Sequence, residues 1–150
     1  MNTTFFSLIL FLQFLINIAF SEESCTHDDK TFRCVKYLRN YDGDTITFDI
    51  KEVHPLLGKK ISIRVSGVDT PEIKTKNKCE KKKAKKAKRA VASVLSKAKK
   101  IDLENIERGK YFRIVADVKF DGKSLSKYLL DQGLGYPYNG GRKTKVNWCE

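Results

Sequence analysis

The sequence predicts an α+β protein, mainly β, built as a five-stranded barrel with a basic helix between strands three and four and a second short helix after strand five. Three observations support this prediction. Apolar and polar residues alternate in short segments, turn residues separate those segments, and one lysine-rich stretch has helical periodicity. A chain of 150 residues has room for one domain.

The first three strands are predicted at residues 31–39, 45–50 and 61–66. Aromatic and other apolar residues favour a strand in the first segment, and apolar and polar residues alternate with period two in the other two. Asp42-Gly43 and residues 55–58 supply the reversals between them. Strands joined by such short turns form an antiparallel meander.

The lysine-rich segment 77–97 predicts an amphipathic helix, because small and branched apolar residues recur there at helical spacing while lysines fill the other face. Two strands near residues 100–106 and 111–120 follow. Ser124 is a predicted N-cap for a last helix, which Gly133 ends. The resulting order β-β-β-α-β-β-α is that of an OB-fold, a fold that often presents nucleic acid.

One segment carries the whole positive excess of the chain. The formal net charge is +12, and residues 74–100 contain 12 Lys, one Arg and a single acid, Glu80, so that the other 17 basic and 17 acidic residues cancel. A charge run is often just a solvated helix face. Its concentration here favours a polyanion as partner.

Residues 1–21 contain no charged side chain, and they end in Ala19-Phe20-Ser21 directly before two glutamates. The apolar run is shorter than the roughly 20 residues that span a bilayer. We therefore predict a signal peptide at 1–21 and a mature domain at 22–150, secreted or periplasmic, monomeric, and without stable membrane association after cleavage. An uncleaved membrane anchor is the alternative.

Four cysteines in an exported chain predict two disulfides, for which the sequence allows three pairings. We favour Cys25–Cys34, which closes a small N-terminal loop, and Cys79–Cys149, which ties down the C-terminal tail. The gaps of 8, 44 and 69 residues match no short zinc spacing. The isolated His27 and His54 are predicted to be structural.

Acidic turns stand at the predicted ends of strands two and three. Asp44 begins strand two, whereas Asp69 and Glu72 follow strand three, whose polar face carries Arg64. Singly, each acid is an ordinary turn residue. Together, on one rim of the barrel, they suit a hard cation and a phosphodiester, for which carboxylates and a guanidinium are the matching groups. With the basic helix, they point to a nuclease.

At these residues the chain resembles the thermonuclease family, the staphylococcal nuclease-like nucleases. The family's D-G-D-T motif is present at residues 42–45, R-x-x-x-x-D-T-P-E at 64–72 and K-Y-x-R at 110–113. An A-K-K-I element stands at 98–101, and D-G-K with a helix ending in Q-G-L lies within 121–134. The resemblance covers roughly residues 37–134, most of the predicted mature chain.

The resemblance implies a role for each matching residue. Asp44 and Asp69 would bind Ca²⁺ through their carboxylates and Thr70 through its backbone carbonyl. Glu72 would orient or deprotonate the attacking water. Arg64 and Arg113 would hold the scissile phosphate. Lys110 and Tyr111 would contact a neighbouring phosphate.

The implied activity is that of a hydrolase, an endonuclease that cleaves phosphodiester bonds of DNA and RNA with little sequence specificity and leaves 3′-phosphates.

The chain departs from the family at Phe112, where glycine is usual, and at Gly109, where aspartate is common. Arg108 is close by, which leaves the second phosphate-binding arginine open. Residues 136–141 replace a long C-terminal helix; we expect Tyr136 to pack against the barrel and leave Tyr138 undecided.

Two other classes of function are compatible with the sequence. The first is a non-catalytic OB-fold module that binds nucleic acid without cutting it. In such a module the acids and arginines would be expected to be replaced by other residues. The second is a cationic protein that disrupts membranes or coats anionic surfaces, which would need the lysines but not Asp44, Asp69 or Glu72.

Overall fold

The structure is a computed structural model that describes residues 25–143 and 145–149. The predicted signal peptide at 1–21 lies outside the described residues. Within the part of the chain that is described, no helix combines the length and the apolarity that a bilayer crossing requires.

The elements follow the predicted order, with five short additions. The strands are β1 (Lys36–Asn40), β2 (Thr45–Asp49), β3 (Ile61–Val65), β4 (Gly67–Asp69), β5 (Ile101–Arg108), β6 (Ile114–Phe120), β7 (Lys123–Ser124) and β8 (Tyr136–Tyr138). The helices are α1 (Pro55–Gly58), α2 (Lys78–Lys97) and α3 (Leu125–Asp131), and a 3₁₀ turn spans Lys110–Phe112. The additions are the short helix α1, the 3₁₀ turn and the strands β4, β7 and β8.

The main sheet has the strand order β1-β2-β3-β6-β5, in which β3 and β6 are parallel and the other neighbours antiparallel. Its two edges meet. Phe32 and Leu103 exchange backbone hydrogen bonds of 2.9 and 2.8 Å, and the Val35 amide donates to the Ile101 carbonyl at 2.8 Å. This mixed, mainly β architecture confirms the predicted fold class. Strand β1 begins at Lys36 rather than at residue 31 because the preceding residues pair with β5 instead of β2.

Strand β6 also begins later than predicted, at Ile114 rather than residue 111. Tyr111 and Phe112 have φ of 59° and 57°, in the left-handed region, and they belong to the 3₁₀ turn. A chain in that conformation cannot pair as a strand, whatever the β propensity of its aromatic residues.

Helix α2 matches the predicted segment. The Asn77 side chain caps it by accepting from the amides of Cys79 and Glu80 at 3.0 and 3.2 Å. Its apolar face is buried against the barrel through the residues Ala84, Ala87, Val91 and Leu95. The core that it covers has its largest fully buried side chains at Phe48, Ile46, Ile63, Leu103, Leu125 and Leu129.

The last helix begins and ends as predicted. Ser124 caps α3 by accepting from the Lys127 amide at 3.3 Å. At the other end, Gly133 has φ +60°, its amide donates to the Leu130 carbonyl, and the Leu134 amide donates to the Leu129 carbonyl. This is a Schellman motif, in which glycine takes the left-handed position at low steric cost.

The structure pairs the cysteines as Cys25–Cys34 and Cys79–Cys149, with Cα–Cα distances of 5.4 and 5.5 Å. The second bond joins the first turn of α2 to the C-terminal segment. The C-terminal segment is therefore fixed next to the helix, as the favoured pairing anticipated.

Candidate active site

The D-G-D-T turn is shaped by its first acid. One carboxylate oxygen of Asp42, Oδ1, accepts from the amides of Asp44 and Thr45 at 3.1 and 2.8 Å, so Asp42 serves turn formation. A Cβ on Gly43 would lie 2.7 Å from Thr70 Cγ2 and 3.0 Å from Ala87 Cβ. Only glycine lets this turn fit between Thr70 and helix α2.

Gly43→Ala is expected to lower the free energy of unfolding by about 1–3 kcal/mol, because the added methyl overpacks against Thr70 and α2. Chemical denaturation measures the change. Gly141→Ala is the matched control, since its nearest neighbour would be Asn139 Oδ1 at 3.4 Å. Equal effects of the two substitutions would show that the close packing at Gly43 is unimportant.

The predicted acids and the first arginine form one cluster. Arg64 donates through Nη1 to Asp44 Oδ1 and through Nη2 to Asp69 Oδ1, the latter at 2.6 Å. The other Asp44 oxygen, Oδ2, accepts from the amide and the hydroxyl of Thr70 at 2.7 and 2.8 Å. Asp44 is 1% exposed. A single guanidinium thus joins the D-G-D-T turn to the D-T-P-E segment.

Strand register explains this meeting. Thr45 at the start of β2 is the partner of Arg64 in β3, and the Val65 amide donates to the Asp44 carbonyl at 2.9 Å. Strand β4 ends at Asp69 after the chain turns at Gly67, which has φ +77°. The turn returns Asp69 to the Arg64 side chain.

The cluster is short of positive charge. Burial raises the pKa of Asp44 to about 7, although the Arg64 charge and the hydrogen bonds from Thr70 act in the opposite direction. Burial also opposes the charge on Arg64, but the attraction of Asp44 and Asp69 outweighs it and raises the pKa of Arg64. One arginine therefore does not fully compensate the buried carboxylate, and a further cation beside it would favour its ionised form.

Lys143 supplies a cation that the motifs did not reveal. Its ammonium lies 2.9 Å from Asp69 Oδ1 and 3.0 Å from Glu72 Oε1, and these carboxylates raise the pKa of Lys143 despite its partial burial, which acts the other way. The contact crosses 71 positions of sequence. The only sequence signal was indirect: the favoured Cys79–Cys149 pairing brings the C-terminal segment to this side of the barrel.

Glu72 is the most exposed acid of the site, with 52% of its side chain accessible. Its backbone amide donates to Glu80 Oε1 at 3.2 Å, and Thr75 donates to Glu80 Oε2 at 2.6 Å. The single acid of the basic segment thus fixes the loop after the D-T-P-E motif to the start of α2. Glu72 is therefore more accessible to solvent than the buried Asp44 and the partly buried Asp69.

Tyr138, undecided from sequence, lies at the site. Its ring centroid is 5.9 Å from Arg64 Cζ, and its hydroxyl donates to the Gly141 carbonyl at 3.0 Å. Strand β8 places it there, because Tyr138 is the register partner of Gly67 and Tyr136 that of Asp69. Tyr136 packs against Trp148 with ring centroids 4.9 Å apart.

The structure does not join Arg113 to the cluster. Within residues 25–143 and 145–149, no side-chain hydrogen bond or ion pair engages its guanidinium, and the residue is exposed. Arg64 is the register partner of Val115, two residues after Arg113, so an extended chain directs Arg113 to the same face as Arg64. Arg108 instead lies over the Phe112 ring, at 5.4 Å, which makes Arg113 the better candidate for the second phosphate-binding arginine.

Lys110 and Tyr111 are exposed in the 3₁₀ turn before β6, and Tyr111 is 91% accessible. They are therefore free to meet a ligand but do not contact the acid cluster. The two histidines have structural partners: His27 bonds the Lys51 carbonyl at 2.8 Å, and His54 accepts from the Leu56 amide at 3.3 Å to cap α1.

The oxygen atoms of the cluster are suited to a hard cation, since Asp44 and Asp69 offer carboxylates and Thr70 a buried carbonyl. In the described part of the chain, however, no group of three or more His, Cys, Asp or Glu side chains is arranged around a common point. The nitrogens of Arg64 and Lys143 contact the carboxylates instead.

Comparison with known proteins agrees with this geometry. The family model of staphylococcal nuclease homologues matches residues 62–147, more than half of the chain. Over 99 residues the chain is 37% identical to endonuclease YncB of Bacillus subtilis (strain 168), a match that covers 64% of this chain and 44% of that protein. The chain thus spans less than half the length of that relative. The match of the family model, together with the intact Arg64–Asp69–Glu72 segment within it, shows that this chain belongs to the staphylococcal nuclease homologue family.

Proposed function

We propose that this chain is an exported, Ca²⁺-dependent nuclease that hydrolyses phosphodiester bonds of DNA and RNA with little sequence preference and leaves 3′-phosphates. The observation that carries the proposal is the shared guanidinium of Arg64, which brings two acids of separate motifs together beside the accessible Glu72. The endonuclease name of the Bacillus relative supports the same chemistry.

Asp44, Asp69 and the Thr70 carbonyl would hold the cation. When bound there, Ca²⁺ would polarise the phosphoryl group and make a nearby water more acidic. Arg64 is 12% exposed and held by two carboxylates, so its planar donors are already oriented at the rim. A guanidinium of this kind binds phosphate oxygens in pairs and stabilises the charge that builds on them.

Glu72 would orient the attacking water and accept its proton, since it is an accessible carboxylate next to the cation ligands. Arg113 would complete the phosphate site from the position just before β6, and Lys110 and Tyr111 would contact a neighbouring phosphate. None of these roles needs sequence readout, because each contact is to the backbone of the nucleic acid.

Export would suit the two disulfides, which persist in oxidising compartments. We place the mature protein outside the cytoplasm, in the periplasm or the medium, as a monomer without stable membrane association. Mass spectrometry of the processed protein tests this through its N-terminus, which is expected near Glu22.

The activity is tested on gels with single- and double-stranded DNA and with RNA, in Ca²⁺ and then in chelator, followed by analysis of the product ends. We expect cleavage of all three substrates in Ca²⁺ and none in chelator. Binding without cleavage in every condition would favour the non-catalytic module instead.

Lys143→Ala is expected to strengthen Ca²⁺ binding by about 2- to 5-fold, because the ammonium competes for Asp69 and Glu72 and exposed ion pairs of this kind contribute at most about 1 kcal/mol. Calorimetric titration measures the affinity. Lys145→Ala removes a neighbouring exposed lysine as the control. Unchanged affinity in Lys143→Ala would mean that the ammonium does not compete with the cation.

A further inference from the structure

Helix α2 and the C-terminal segment form a groove of about 290 Å³ beside the candidate active site. The helix contributes Lys82, Lys83, Lys86 and Arg89, and the C-terminal segment contributes Trp148. Both residues of the Cys79–Cys149 disulfide line the groove, and the bond joins its two walls. Among the described residues that line the groove, none is acidic.

The cationic wall is the solvent side of an otherwise well-packed helix. Positions 82, 86 and 89 recur at intervals of four and three, so these side chains share one face, whereas Ala84 and Ala87 are buried on the other. Like charges at this spacing destabilise a helix by mutual repulsion. An anionic partner would remove that repulsion.

The opposite wall adds an aromatic surface. Trp148 is half-buried, and its ring packs against Tyr136, the register partner of Asp69. The groove is therefore separated from the acid cluster by one strand residue and one ring contact.

We infer that this groove binds single-stranded nucleic acid, with backbone phosphates on Lys82, Lys86 and Arg89 and an unpaired base against Trp148. Cations that follow a backbone beside an aromatic ring are the common arrangement in proteins that hold single strands. In a duplex the base faces are stacked on each other and the indole cannot reach them. The inference rests on the proposed nucleic-acid substrate and adds to it a site outside the predicted catalytic residues.

The sequence contains a single tryptophan, so its emission reports on the groove directly. A labelled oligothymidylate of about 12 nucleotides would be titrated into the full mature chain in chelator, with indole emission and anisotropy followed together. We expect quenching that tracks binding, and weaker binding with less quenching for a duplex of the same length. Binding without quenching, or equal behaviour of the duplex, would overturn the inference.

Charge reversal at two pairs of lysines on α2 distinguishes binding in the groove from general attraction of the nucleic acid to the basic helix. Lys82→Glu with Lys86→Glu changes the groove, whereas Lys81→Glu with Lys85→Glu makes the same charge change at the same spacing on positions that do not line it. We expect the first pair to weaken binding roughly tenfold more than the second and to lower the salt dependence further. Equal losses would reduce the groove to part of a diffuse basic surface.

Trp148→Ala is expected to weaken single-strand binding by about 5- to 100-fold, and Trp148→Phe to retain most of it, because a phenyl ring still stacks. Thiol titration shows whether the neighbouring disulfide is intact in each variant. Wild-type affinity in Trp148→Ala, with the disulfide formed, would contradict the role of the indole. Binding is measured in chelator and cleavage in Ca²⁺, so the two proposals can fail separately. An absence of cleavage in Ca²⁺ would reject the proposed nuclease without affecting the binding result. Full cleavage in Ca²⁺, together with equal binding losses for the two lysine pairs, would reject the groove alone.

Discussion

Arg64→Ala is expected to lower turnover by about 10² to 10³, the usual loss when one preorganised group that stabilises developing charge is removed. The same substitution is expected to lower the free energy of unfolding by about 3 kcal/mol, since Asp44 is left buried without its charged partner. Steady-state kinetics on a defined oligonucleotide and denaturation in urea measure the two effects.

Arg64→Lys and Arg39→Ala are the controls. Lysine keeps the charge but cannot bridge Asp44 and Asp69 with two parallel donors, so it should recover part of the stability and little of the turnover. Arg39 is an exposed arginine of β1, and its loss should change neither quantity. Wild-type turnover in Arg64→Ala would remove this residue from the phosphate site.

The instability of Arg64→Ala should depend on pH in a defined direction. The pKa of Asp44 is raised from 3.8 to about 7 in the folded protein, so the folded state holds a proton more tightly than the unfolded chain, and stability falls as pH rises between those values. Arg64 lowers this pKa, so without it the fall continues to higher pH. The difference between wild type and variant should therefore be larger near pH 8 than near pH 6.

The acid cluster could be anticipated from sequence because its determinants are local. Alternating residues fixed which face of β3 carries Arg64, and short turns made β2 its neighbour, so Asp44 and Asp69 had to approach the same guanidinium. Asn77 and Ser124 were recognisable as caps for the same reason, since capping depends on the next three residues.

Lys143 could not be anticipated, because nothing near it in sequence marks it as part of the site. Its position follows from the pairing of β8 with β4 and from the Cys79–Cys149 bond, both of which join distant segments. The prediction that Tyr111 and Phe112 belong to a strand was wrong for the opposite reason. Their local preference for a strand is real, but the turn before β6 imposes left-handed backbone angles on them.

Glu72→Gln should separate chemistry from structure more cleanly than any change at Arg64. The amide keeps the size of the side chain and removes its ability to accept a proton, so turnover is expected to fall by about 10² to 10⁴. Because Glu72 is half-exposed, the free energy of unfolding should change by less than about 0.5 kcal/mol. Kinetics and denaturation on one preparation measure both.

Glu104→Gln is the matched control, since Glu104 is a similarly exposed glutamate with a lysine partner, Lys119 at 4.0 Å, on the far strand β5. It should keep full turnover. Calorimetry must also show that Glu72→Gln still binds Ca²⁺, because a loss of the cation would explain inactivity without any proton transfer. If Glu72→Gln binds Ca²⁺ and cuts at the wild-type rate, another group must take the proton. Asp69 is then the first carboxylate to examine, because Lys143 contacts both Asp69 and Glu72.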